Sequence, residues 1–166
     1  MISTTLLEAI ENEMSSLEVD FHDDDWIQTI PSLPGWYFFE TDTPPEEFCE
    51  LGPPVGINHN NLPKKVDESS SLRREGILIL PAEYELYFVY SGETANLKAR
   101  IKEHIWGHEK TYCLALSNYL ILHDYSWVVH WATCSFGEKP NDSKLWRIFG
   151  EQAWRAKNGW PILCGR

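Results

Sequence analysis

No run of the 166-residue chain approaches the stretch of about 18 apolar residues that a membrane-spanning helix needs, so no membrane partner is expected. Residues 1–14 carry no basic leader region; no signal peptide is visible, and the expected location is cytoplasmic. The four cysteines, Cys49, Cys113, Cys134 and Cys164, lack close pairing and form no C-x-x-C. That argues for reduced thiols, against a disulfide framework and against a structural zinc site. Most telling is the missing positive charge: residues 1–50 hold thirteen Asp and Glu and not one Lys or Arg.

The overall net charge of −11 points away from a nucleic-acid partner until its distribution is considered. Residues 51–166 hold twelve acidic and fourteen basic residues, a net of +2, so the larger part of the chain is free to meet phosphate. Length fits one domain, and aromatic residues at 13%, with eight Trp, supply ample apolar area for a core.

Residues 3–14 read as an amphipathic helix, with Leu6, Ile10 and Met14 on one side and Ser3 or Thr4 as cap. His22-Asp23-Asp24-Asp25 reads as a solvated acidic turn with too few spaced ligands for a metal. Residues 33–39 read as a strand entered through Pro34-Gly35. Residues 46–80 are rich in breakers, including Ser69-Ser70-Ser71, and read as loop, apart from a short apolar strand at 76–80. Residues 112–122 have helical spacing, and residues 127–134 read as a strand. A turn at 136–141 leads into a helix over 144–157, capped by Asp142 or Ser143 and stopped at Asn158-Gly159. Gly150 in mid-helix costs about 1 kcal/mol relative to Ala and implies that something approaches it closely.

The chain is organised around residues 86–104. Residues 86–90 form an apolar strand, residues 91–94 a break, and from Ala95 the spacing turns helical, with Leu97, Ile101, His104 and Ile105 on one face. Arg100 leans to that face one turn before His104, and Arg is rarely buried without a partner.

Tyr90-Ser91-Gly92, then Thr94, Asn96-Leu97, Arg100 and His104, resemble the core of the GIY-YIG nuclease superfamily, which pairs a Y-x-G strand with an N-L-x-x-R helix and often a His four residues on. Gly35-Trp36-Tyr37 resembles the family's first motif, and Glu151 with Pro161 resembles its glutamate helix. The resemblance covers about residues 35–161 and requires an insertion over about 41–80. Gly76-Ile77-Leu78 competes for the first-motif strand but has Leu78 where the tyrosine belongs. The family's late Asn is replaced near its place by Cys164.

Composition and periodicity alone indicate a small mixed α/β domain. The resemblance implies an α+β fold with a three-stranded antiparallel sheet flanked by helices at 31–166, preceded by an acidic helical extension at 1–30. It implies a DNA endonuclease with one site: Tyr37, Tyr90, Arg100, His104 and Glu151 catalytic, Glu151 holding one Mg²⁺ or Mn²⁺, and Gly92, Thr94, Asn96 and Lys98 at the substrate. DNA is the implied partner, RNA the variant of it, with a homodimer or separate protein for specificity. The bland reading of Glu151 is an ion pair with Arg147 or Arg155, four residues to either side. The rival function is an inactive module of the same fold that binds nucleic acid or protein, with the acidic first fifty residues in its favour. An acidic N-terminal segment lying over the active face is a further expectation.

Overall fold

The computed structural model describes residues 2–83, 85–134 and 144–165. It has α+β architecture with a four-stranded antiparallel sheet. The strands are β1 (Ser15–Glu18), β2 (Gly35–Thr41), β3 (Tyr87–Thr94) and β4 (Trp127–Thr133), in spatial order β1-β4-β2-β3. The expected sheet had three strands. The unexpected one, β1, is short and polar, so its sequence shows no strand pattern. It forms because β4 offers a free edge, and Ser15 to Glu18 pair with Trp131 to Val128 along it.

β2 is buried along nearly its whole length because both faces are covered, which is why it reads as one continuous apolar run. Its alternate side chains feed two cores. Tyr37 and Phe39 join Val89, Leu97, Ile101 and Ile105 on one face, with Ile27 and Ile30 from the N-terminal part. Trp36 and Phe38 join Leu6, Ile10 and Trp154 on the other. The expected extension 1–30 is thus packed into both cores: helix α1 (Ile2–Asn12) buries Leu6 and Ile10 at i and i+4, and β1 follows it into the sheet.

Between β2 and β3 the chain forms two helices, α2 (Pro45–Glu50) and α3 (Leu62–Arg74), where loop was expected. Asn61 Oδ1 caps α3 by accepting from Lys64 N at 2.9 Å, and Pro63 suits its first turn. Leu62, Val66, Ser69 and Leu72 form its inward stripe. Ser69 is fully buried there, so the serine run is helix, not loop. Residues 76–80 lie outside the sheet; they exchange Ile79 N to Trp160 O (3.0 Å) and Trp160 N to Ile77 O (2.8 Å) with the end of the chain. The strand opposite β3 is Gly35–Thr41.

β3 runs straight through residues 91–94, the expected break, because β2 supplies a partner as far as Gly35↔Thr94. Helix α4 (Leu97–Trp106) is capped by Asn96 Oδ1, which accepts from Ala99 N at 3.1 Å, and ends at Gly107 with φ 87°. The helix expected over 112–122 is replaced by two single 3₁₀ turns, Leu116–Asn118 and Leu120–Asp124. Ala115 takes a positive φ of 52°, and Leu120 and Ile121 face solvent, so these apolar residues form no single stripe. Helix α5 (Lys144–Asn158) buries Arg147, Gly150, Glu151 and Trp154 and stops at Gly159, whose φ is 105°. The turn at 136–141 and the capping residues Asp142 and Ser143 lie outside the described residues. Among the described residues no helix is long and apolar enough to cross a membrane.

Candidate functional site

The site begins with one cross-strand pair. Tyr37 on β2 faces Gly92 on β3. A Cβ placed on Gly92 would lie 2.3 Å from the Tyr37 hydroxyl, so the tyrosine ring lies across a position that only glycine leaves open. Tyr90, two residues earlier on the same face, puts its ring 6.1 Å from that of Tyr37. The glycine of the Y-x-G pattern therefore makes room for the other motif's tyrosine.

α4 brings Arg100 and His104 to this face. His104 is fully buried, its ring 5.4 Å from Tyr37 and 4.8 Å from Tyr90. Its Nδ1 accepts from Leu114 N at 3.2 Å, so the neutral ring carries its proton on Nε2 and donates it to the Tyr37 hydroxyl oxygen at 2.9 Å. Burial, and then the Arg100 charge, push the His104 pKa well below its ordinary value and keep the ring neutral. Burial, reinforced by Tyr90, pushes the Tyr37 phenol well above its ordinary value, while Arg100 pulls it back.

Glu151 arrives from the opposite face of the sheet. Ser91 and Gly92 on the edge strand have no bulk, and through this notch a carboxylate from the α5 side and two tyrosines from the α4 side line one cleft of about 190 Å³, together with Gly92, Glu93 and Arg100. Glu151 is 9% exposed. Its Oε1 accepts from Arg155 Nη2 at 2.5 Å and from Ser91 Oγ at 3.4 Å; among the described residues both bonds fall on this one oxygen. Burial raises the Glu151 pKa, Arg155 lowers it, and the nearby Glu93 charge raises it again. The bland ion-pair reading is therefore half right: Arg155 does pair with Glu151, in a nearly buried setting, while Arg147 Nε donates to Glu93 Oε2 at 2.8 Å.

A hard, partly desolvated carboxylate with one oxygen outside its protein bonds fits a Mg²⁺- or Mn²⁺-type ion, which keeps most of its coordination for water and phosphate. Among the described residues the group of three carboxylates close enough to share an ion is Asp23, Asp24 and Asp25, all exposed. There Asp24 pairs with Lys102 at 3.0 Å and Asp23 accepts from Asp25 N at 3.0 Å, an acidic turn tied to α4.

Tyr37, Tyr90, Gly92, Arg100 and Glu151 thus meet at one cleft, with His104 directly behind Tyr37. Thr94 and Asn96 line a neighbouring groove beside Arg100, and their polar atoms shape the start of α4: Thr94 Oγ1 accepts from Asn96 N at 3.1 Å. Lys98 lies apart from both, donating to Gln28 O at 3.1 Å. The acidic turn sits on this same Lys98–Lys102 flank of α4, not over the cleft.

Ser91, Glu93, Arg155 and Cys164 also line the cleft and escaped the sequence reading as functional residues. Arg155 had a visible signal, its i+4 spacing from Glu151. Cys164 had none. The last turn of the chain folds against the exposed edge of β3, where Cys164 Sγ accepts from Ser91 N at 3.4 Å and from Arg155 Nη2 at 3.3 Å. No protein-family model, curated protein or solved structure matches this chain.

Proposed function

We propose that this chain is a metal-dependent endonuclease that hydrolyses DNA phosphodiester bonds at a single site of GIY-YIG type. One observation carries the reading: four separate segments, β2, β3, α4 and α5, converge on one cleft with two tyrosines, an arginine and a buried glutamate, and a neutral histidine backs the first tyrosine.

Tyr37 aligns the attacking water and receives its proton. A buried phenol is a poor base until it loses its own proton, so two groups act on its oxygen: His104 Nε2–H donates to it at 2.9 Å, and the Arg100 charge lowers its pKa. Both stabilise negative charge on that oxygen. Tyr90 completes the aromatic wall beside it. Arg100 also presents a planar cation to the phosphoryl oxygens. Glu151, whose Oε1 accepts from Arg155, is the residue that would hold a divalent ion. When bound there, such an ion would supply positive charge to polarise the phosphate and stabilise the leaving oxygen.

The test is nicking of supercoiled plasmid with Mg²⁺ or Mn²⁺ by wild type, Glu151→Ala and Tyr37→Phe. Both variants are expected to lose nicking while remaining folded. A second reading is supported by the tight Glu151–Arg155 pair, which occupies part of the carboxylate: a catalytically idle module that binds nucleic acid or a protein. Wild type that binds but leaves duplex, single-stranded and branched substrates uncut with every metal would favour it.

A further inference from the structure

The cleft holds two guanidinium groups, and they are used differently. Arg100 has both terminal nitrogens engaged: Nη1 donates to Glu103 Oε2 at 2.7 Å and Nη2 to Tyr112 O at 2.6 Å. Arg155 is held from one edge and one face. Its Nε donates to Ser91 Oγ at 2.8 Å, its Nη2 to Glu151 Oε1 at 2.5 Å and to Ser91 O at 3.3 Å, and its plane lies 4.5 Å over the Trp160 ring. Its Nη1 has no protein partner among the described residues. The side chain is only 13% exposed.

We propose that Arg155 is a second phosphate-holding residue of this cleft, donating Nη1–H to a non-bridging oxygen of the nucleic-acid backbone beside Arg100. The inference rests on the nuclease reading above. A plain counter-ion for Glu151 needs one contact. The bonds to the neutral Ser91 and the stacking on Trp160 add orientation, which a counter-ion does not require and a planar donor facing a phosphate does. They also remove rotamer freedom before a ligand arrives, so little is lost on binding.

The experiment measures fluorescence anisotropy of a labelled DNA duplex bearing a single-stranded flap, titrated with the full chain in Ca²⁺ buffer over a series of salt concentrations. Wild type, Arg155→Gln and Arg155→Lys are compared, with a thermal melt of each. Arg155→Gln is expected to weaken binding about tenfold and to reduce the slope of log affinity against log salt by about one. Arg155→Lys restores the slope but not the full affinity, because an ammonium keeps the charge and loses the fork. A merely structural Arg155 would lower the melting temperature and leave the salt slope unchanged; that result overturns the proposal. If Arg155→Gln does not fold, Ser91→Ala frees the guanidinium edge without removing charge. Weaker binding by it supports the proposal, and unchanged binding overturns it. Wild type that binds neither this DNA nor its single-stranded or RNA counterparts overturns both the nuclease reading and the role of Arg155. Equal binding by wild type and Arg155→Gln overturns the role of Arg155 alone.

Discussion

Trp36 and Tyr37 are neighbours on β2, point to opposite faces of the sheet, and each lays its ring over a glycine. Trp36 covers Gly150 of α5, where an added Cβ would meet the indole at 2.6 Å; Tyr37 covers Gly92 of β3, where it would meet the hydroxyl at 2.3 Å. The device is the same, but the polar atoms end differently. Trp36 Nε1 donates to Arg147 O at 2.7 Å, fixing α5 against the sheet inside an apolar core. The Tyr37 hydroxyl meets His104 Nε2 and borders the cleft shared with Arg100 and Glu151. One glycine docks a helix; the other makes room for the tyrosine that borders the cleft. Close packing is thus common to both, and what distinguishes the site is where the ring's polar atom is left.

The sharpest way to break the comparison is to change the two aromatic residues in turn. Tyr37→Phe is expected to lower plasmid nicking about 10²- to 10⁴-fold, the usual worth of a positioned acid–base group. It also leaves the His104 Nε2–H unpaired in the core, at a cost of about 1–3 kcal/mol in a thermal or denaturant melt. Trp36→Phe is expected to cost stability by a similar amount and to leave the rate per folded molecule unchanged. Equal rate losses in the two variants would erase the distinction.

The glycines come next. Gly92→Ala must push the Tyr37 ring aside, and a displacement of about 1 Å at a reacting group costs on the order of 10²-fold in nicking rate. Gly150→Ala gains about 1 kcal/mol of helix propensity. Overpacking against an indole held by Arg147 O costs about 1–3 kcal/mol, so a net loss of stability is expected, read by melting, with nicking per folded molecule intact.

The smaller effects follow pH. His104 is held neutral in the fold, below its ordinary pKa, so the unfolded chain binds the extra proton first. Its contribution is fully present above about pH 6.5 and is lost as pH falls below that. The melting temperature of wild type should therefore drop more steeply between pH 7 and pH 5, both round test values, than that of His104→Gln. Tyr37, raised by burial, must ionise to act as a base, so nicking should rise with pH above neutrality. A flat profile in wild type would remove Tyr37 from that role.

Much of this was legible in the chain. The 3.6-residue spacing of Leu97, Ile101, His104 and Ile105 located the buried face of α4, and the awkward Gly150 announced a close neighbour, which is Trp36. The aromatic run at 35–39 indicated a strand. Such features are local: a period, a cap or a missing side chain is written in adjacent residues. What failed was of another kind. Polar Ser15–Glu18 became a strand because β4 had an unpaired edge, and Ser91 to Thr94 stayed extended because β2 ran alongside them. The apolar residues around Ala115 lost their helix to packing that turned Leu120 and Ile121 outward.

By itself, then, the sequence determined the buried faces of α1 and α4, the stop of α5 and the residue types capable of handling a phosphate. Only the tertiary structure decided that Tyr37 faces Gly92, that Glu151 reaches it around a side-chain-poor strand edge, and that Arg155 and Cys164 stand beside it. Each of those relations joins residues far apart in the chain. They exist because strand pairing and core closure fix long-range neighbours, and no local pattern encodes which neighbours those are.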